Sequence, residues 1–387
     1  MIGRVSAAFA LAWAATSMVV GPGGAAFVRL AGNEAAAGVF VALFYVGAAV
    51  GGWGGGHLMD RVGRRPVVVA GYVLGATGYI VAGWAQHAGA LAAFVAGTLL
   101  LAAASGALTL GRLAVAEAVE PARRGRALAI LQASATAGAV VGPLLLIAAP
   151  RLPIPAGSSP LDVVWWVAPP LLLAGAALVG TGPAWPRWTA PGPVATQPGS
   201  SALWPAIATL VLVQAAMVAV MAVAGPVVLH AGHGADAIGA VVLLHFAGMF
   251  GLSLLIGRVA DRRGRPFTIA CGWTLLAVGG ATVAFLPGLP GFAVGLMLVG
   301  FGWSFAYLGG TAMFADRAPP QSRARLLGRI DLAASLLAAA TAAGAGVLFA
   351  RHGLLALGLA AVAIALCGGL VLAAVGMPWR RRSPGEG

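Results

Sequence analysis

The apolar residues of this chain come in long unbroken runs, and the length of those runs limits what it can fold into. They fall near residues 5–28, 35–58, 66–86, 90–116, 126–149, 162–182, 204–229, 236–259, 267–287, 290–314, 325–350 and 353–377. Each is close to the roughly 20 residues that a helix needs to cross a bilayer. Lipid offers no partner to backbone N–H and C=O groups, so only helices and closed barrels can span it. Barrel strands read as roughly ten-residue segments of alternating polarity, whereas these runs are longer and apolar on every side. The expected fold class is therefore all-α polytopic, with twelve transmembrane helices. Composition decides one point: charged residues make up 9% of the 387, too few to cover a soluble fold of that size. The sixth run is the most interrupted, by Pro169 and Pro170, which spanning helices tolerate when neighbours re-satisfy the freed backbone groups.

A net charge of +13 suits nucleic acid, but its placement argues against that partner. Every basic residue is an arginine, and the arginines occupy short gaps between apolar runs. One set of gaps holds Arg4, Arg61, Arg64, Arg65, Arg123, Arg124, Arg126, Arg187, Arg258, Arg262, Arg263, Arg265, Arg317, Arg323, Arg325, Arg329 and Arg380 to Arg382; the other holds only Arg29, Arg151 and Arg351. Arg112 lies near the end of the fourth run, on the arginine-rich side. The positive-inside rule makes that side cytoplasmic, so both termini are expected on the cytoplasmic side of the cell membrane, which requires an even number of spans. Cys271 and Cys367 fall within apolar runs and read as buried thiols, not a disulfide. Arg4 before an apolar run resembles a signal peptide, but with many later spans the first helix is expected to be kept.

The segment 183–203 is dominated by Pro, Gly, Ser and Thr and reads as a cytoplasmic linker. It divides the chain into an N-terminal six-helix bundle (1–182) and a C-terminal one (204–378), followed by a cytoplasmic tail (379–387). The chain also repeats itself across the linker. Residues 56–66 read GHLMDRVGRRP and residues 257–266 read GRVADRRGRP, so that Asp60, Gly63 and Arg64 correspond to Asp261, Gly264 and Arg265. Two spans later, Glu117 with Arg124 and Arg126 corresponds to Asp316 with Arg323 and Arg325. Parallel six-helix repeats of this kind are a known transporter plan.

The pattern at Gly56, Leu58, Asp60, Arg61, Gly63, Arg64 and Arg65 resembles the signature loop of the major facilitator superfamily. The second copy departs from it, with Val259 in place of the leucine and Pro266 in place of the last arginine. The resemblance covers nearly the whole chain and implies twelve helices in two pseudo-symmetric bundles. It implies that the loop is a gating latch formed by Gly56, Asp60, Arg61, Gly63, Arg64 and Glu117 in the first half and Gly257, Asp261, Arg262, Gly264, Arg265 and Asp316 in the second. Asp60 is expected to face the N-terminus of the eleventh helix, whose dipole favours an anion. A solvated charge cluster that sets topology alone is the plainer reading. Gly56 and Gly63 are expected to permit close helix approach and a tight turn.

The resemblance also implies a mid-membrane cavity lined by the first, fourth, seventh and tenth helices. The candidates there are Trp13, Ser17, Thr109, Arg112, Gln214, Met217, Trp303 and Tyr307, with Tyr45 from the second helix. Polar groups are costly in lipid, so each is a candidate contact, although Ser and Thr often join helices and Trp often packs. Aromatics and methionines with few charges suit a bulky, mostly apolar ligand. Gly138, Gly142 and Pro143 look like the fifth-helix motif of proton-coupled exporters, with Leu146 and Ile147 departing from it. For proton coupling the candidates are His245, which is otherwise a packing histidine, and Asp331, which is otherwise a partner of Arg329 or the latch. Arg29 and Glu34 are expected to pair with each other, and Trp165, Trp166, Trp185, Trp188, Trp204 and Trp379 to form interfacial belts.

His230, His233 and Asp236 read as loop residues and a helix cap, so no metal site is expected, nor any cofactor beyond a proton gradient. The spans carry no paired carboxylates or nucleophile–base pair, which argues against an enzyme. The expected function is secondary transport of small molecules by alternating access, as proton-coupled efflux of largely apolar compounds. Uptake of a metabolite by symport or uniport is the alternative. The expected partners are a small-molecule substrate and the bilayer, with the carrier a monomer.

Overall fold

The computed structural model describes residues 2–112, 115, 119, 124–152, 158–182, 185, 203–319 and 323–376. All regular structure among them is helical. The spans are α1 Ile2–Ala31, α2 Val39–Val62, α3 Arg64–His87, α4 Leu91–Thr109, α5 Arg124–Ala148 and α6 Val163–Gly180. They continue with α7 Trp204–His230, α8 Ala235–Arg263, α9 Arg265–Phe285 and α10 Gly288–Arg317. The last stretch, Arg323–Gly376, is long enough for two crossings, and Gly353 (φ 66°, ψ −160°) breaks it into α11 (323–352) and α12 (354–376). Each apolar run thus has its helix. The fourth run was expected to reach 116, but α4 ends at Thr109, and residues 113–114 and 116–118 lie outside the described residues. Most of the linker and all of the tail, with Trp188 and Trp379, also lie outside them.

The chain divides into two compact units. The first is Met1–Pro191, Ala222–Leu243 and Ala339–Arg351: α1 to α6 with the arginine-poor ends of α7, α8 and α11. The second is Gly192–Met221, Leu244–Ala338 and His352–Gly387. In lipid no hydrophobic force draws one apolar helix to another, and close backbone approach over small residues takes its place. In the first unit a Cβ on Gly51 or Gly106 would overlap the carbonyl of Ala103 or Ala48, locking α2 against α4. In the second, a Cβ on Gly302 would sit 2.6 Å from Leu276 N, so α10 lies flush on α9. Large apolar side chains face outward at Trp53, Ile80, Trp84, Leu366 and Leu370, as a lipid-facing surface requires.

Trp165 departs from the interfacial expectation. It is 5% exposed, packs edge-on to Phe94 and donates from Nε1 to Gln86 Oε1 at 3.1 Å. Gln86 Nε2 in turn donates to Asp162, which also accepts from Ser159 N at 2.8 Å. The indole thus anchors α6 to α3 and α4, whereas its neighbour Trp166 is exposed, as is Trp204.

Candidate functional site

The two copies of the signature loop adopt one geometry. A single glycine joins α2 to α3 and α8 to α9: Gly63 at φ 91°, ψ 166° and Gly264 at φ 89°, ψ 160°. That region of backbone space is essentially closed to side-chain-bearing residues. Each glycine sets an acid and an arginine on either side of the joint. Arg64 Nη1 lies 3.1 Å from Asp60 Oδ1, and Arg265 Nη1 lies 2.7 Å from Asp261 Oδ1. Arg265 also donates from Nε to Asp316 Oδ2 at 3.2 Å, tying the α8–α9 joint to the end of α10. Glu117, the counterpart of Asp316, lies outside the described residues. Arg61 and Arg262 are exposed. Gly56 differs from the expectation of close approach, because a Cβ there would enter open space, as it would at its counterpart Gly257.

Sequence reasoning missed how Arg65 acts. Its Nε donates to Val179 O at 3.2 Å and its Nη2 to Gly180 O, while Arg4 Nη1 donates to Thr181 O at 3.0 Å. Two guanidiniums therefore cap the last carbonyls of α6, where the helix dipole favours cations. No local signal announces this, since the partners lie 114 to 177 residues apart.

In the first unit, Gly138 and Gly142 press α5 onto α1. A Cβ on Gly138 would overlap Ala10 O, and one on Gly142 would overlap Ser17 Oγ and Ala14 O. Ser17 is buried in this contact: its hydroxyl donates to Ala14 O at 3.2 Å and lies 3.5 Å from Gly138 O. Pro143 carries the contact on to α8, its carbonyl facing Gly239. Trp13 packs edge-on to Phe9, and Tyr45 to Phe44. Thr109 Oγ1 returns to Gly106 O at 2.7 Å, and Arg112 is exposed.

The second unit brings three of the expected residues together. Trp303 and Tyr307, one turn apart on α10, stack with centroids 4.6 Å apart and planes 11° from parallel. Trp303 Nε1 donates to Gln214 Oε1 of α7 at 2.9 Å. Met217 lies on α7 three residues beyond Gln214 and is buried. His245 is fully buried between α8 and α10. Its Nδ1 lies 2.8 Å from Leu296 O, and its Nε2 finds no protein partner. Asp331 is exposed on α11.

In the first unit, at the arginine-poor ends, Ala25, Val28, Glu34, Pro226, Leu229, His230 and Phe349 line a cavity of about 250 Å³. Glu34 faces His230 there, with Oε1 3.5 Å from Nδ1, and does not pair with Arg29. Among the described residues no group of His, Cys, Asp and Glu could hold a metal ion.

Long apolar helices and a charged joint repeated in both halves define a polytopic membrane protein. The sequence profile of the Major Facilitator Superfamily matches residues 2–229 and 206–387. The chain is 28% identical over 355 residues to YdeG, an uncharacterised MFS-type transporter of Bacillus subtilis, covering 86% of this chain and 81% of that protein. It is 28% identical over 333 residues to the riboflavin transporter RfnT of Brucella anthropi, covering 83% and 82%. A D-xylose-proton symporter structure superposes with a TM-score of 0.74 at 17% identity, over 94% of this chain and 95% of that one. The chain belongs to the major facilitator superfamily. It is a multi-pass membrane protein and a secondary transporter, not an enzyme.

Proposed function

We propose that the protein sits in the cell membrane with its arginine-rich face toward the cytoplasm and exports small, largely apolar compounds by alternating access, driven by a proton gradient. The observation that carries the alternating part is the duplicated joint, in which Asp60–Gly63–Arg64 and Asp261–Gly264–Arg265 share spacing, backbone angles and ion pairing. A structure needed only for topology has no reason to repeat a strained turn with both charge signs in register. Each joint acts as a latch that holds the cytoplasmic ends together and releases when they part. The outward direction is favoured by the Gly138–Gly142–Pro143 motif, whose glycines sit against α1. Ser17 is taken up by the α1–α5 contact, and the cargo contacts are proposed to be Trp13, Tyr45, Thr109, Arg112, Gln214, Met217, Trp303 and Tyr307.

The test is a growth screen of an expressing host against a panel of toxic compounds, followed by flux of each hit in everted and right-side-out vesicles. Protection, with accumulation in everted vesicles that collapses with the proton gradient, is the expected result. Asp60→Asn should cut the flux several-fold while the protein stays in the membrane. Unchanged flux in that variant would remove the latch. A second reading, carriage of a metabolite, is favoured by the riboflavin-transporting relative. Accumulation in right-side-out vesicles alone would select it.

A further inference from the structure

We propose that the Trp303–Tyr307 stack is a platform for planar, uncharged aromatic compounds and fixes which cargo the carrier takes. The proposal deepens the transport reading and takes from it only the idea that this site meets cargo. Residues four apart on a helix share a face, and here the two rings lie parallel within stacking distance. The hydrogen bond from Trp303 Nε1 to Gln214 Oε1 satisfies the indole N–H and fixes the ring plane from the neighbouring helix. A surface already ordered loses little conformational freedom when a ligand arrives. Both rings are only half-buried, so part of the aromatic surface is uncovered. A flat conjugated ring extends such a stack through quadrupole and dispersion contacts that a puckered saturated ring of equal size cannot make.

The two helices that build the stack carry no charge beside it. From Trp204 to Leu229, α7 has no Asp, Glu or Arg. On α10 the first charged residue is Asp316, nine residues past Tyr307 and already engaged by Arg265. An ion desolvated at the stack would have no counter-charge on either helix, a costly state within a membrane.

The experiment is equilibrium binding of two radiolabelled probes, 2-naphthamide and its decahydro analogue, to the full chain in lipid nanodiscs. The aromatic probe should bind about tenfold more tightly, the scale of a good aromatic contact. Trp303→Leu should remove that preference, and Trp303→Phe should keep part of it. The Phe variant, with thermal midpoints for both, guards against a simple loss of folding. Equal affinities for the two probes, no saturable binding of either, or a preference that survives Trp303→Leu would each overturn the platform. Binding with the expected preference, but no flux of any compound in proteoliposomes, would instead overturn the transport reading and leave the platform standing.

Discussion

Gly63 and Gly264 do at the residue scale what no other residue type can. Both hold φ near +90° with ψ near 160°, where a Cβ costs about 1–3 kcal/mol. Neither is crowded, since a Cβ on Gly63 would meet nothing and one on Gly264 only Pro266 Cδ at 3.9 Å. Backbone strain alone is thus the expected penalty: Gly63→Ala and Gly264→Ala should each lower stability by about that amount in thermal unfolding of the purified protein. The same substitution at Gly56, which is helical and open, should not lower the midpoint and by helix propensity should raise it slightly. His245 poses the opposite question. Its Nδ1–H serves Leu296 O, and a second proton on Nε2 would place a charge where no acceptor is in reach. The geometry favours a packing role, so of the two candidates for the proposed proton coupling we put Asp331 first. Asp331→Asn should flatten the pH dependence of transport, whereas His245→Gln should retain it. A flat profile in the His245 variant would reverse the assignment.

Helix number and order were legible from residue type, because lipid leaves a long apolar segment no other form; ends were less so, since α4 stops at Thr109 within a longer apolar run. Helix facing was not. Successive residues on a helix diverge by about 100°, so Trp165 and Trp166 look alike in sequence while one is buried in the bundle and the other exposed. The caps on α6 were hidden for a different reason, since Arg4 and Arg65 reach it from remote parts of the chain. Of the candidate site, Gln214, Trp303 and Tyr307 could be named, but not the stacking that relates them, which depends on how α7 meets α10. The glycines of α5 show what packing decides. Gly142 meets both the Ala14 carbonyl and Ser17 Oγ of α1, so Gly142→Ala must push two helices apart. Overpacking of this kind costs about 1–3 kcal/mol. Gly142→Ala should therefore lower the thermal midpoint and the flux together. Gly54→Ala, in open space on α2, is the control that should lower neither, its helix propensity acting the other way on the midpoint.

At the scale of the molecule, the arginine-poor ends of the first unit meet backbone to backbone. A Cβ on Gly225 of α7 would overlap the carbonyl of Gly21 of α1, and one on Gly38 would overlap the carbonyl of Ala342 of α11. A Cβ on Gly346 would lie 2.5 Å from Ala35 O. Such a seam excludes water without any side chain to swing aside, so it opens only if whole helices separate. The alternating access proposed above requires that separation, and a methyl group wedged into the seam should favour it. The probe is Val228→Cys, a buried position on α7 three residues past Gly225, in a background where Cys271 and Cys367 are replaced by alanine. An impermeant maleimide added from the arginine-poor side should label it slowly in that background and several-fold faster once Gly38→Ala or Gly225→Ala is added. Cysteines in place of Arg61 and Arg262 supply the frame of reference, because both should label only from the opposite face. If those two label from different faces, the duplication does not run parallel through the membrane. If they agree but the wedged seam labels no faster, this end is a fixed weld and the carrier moves elsewhere.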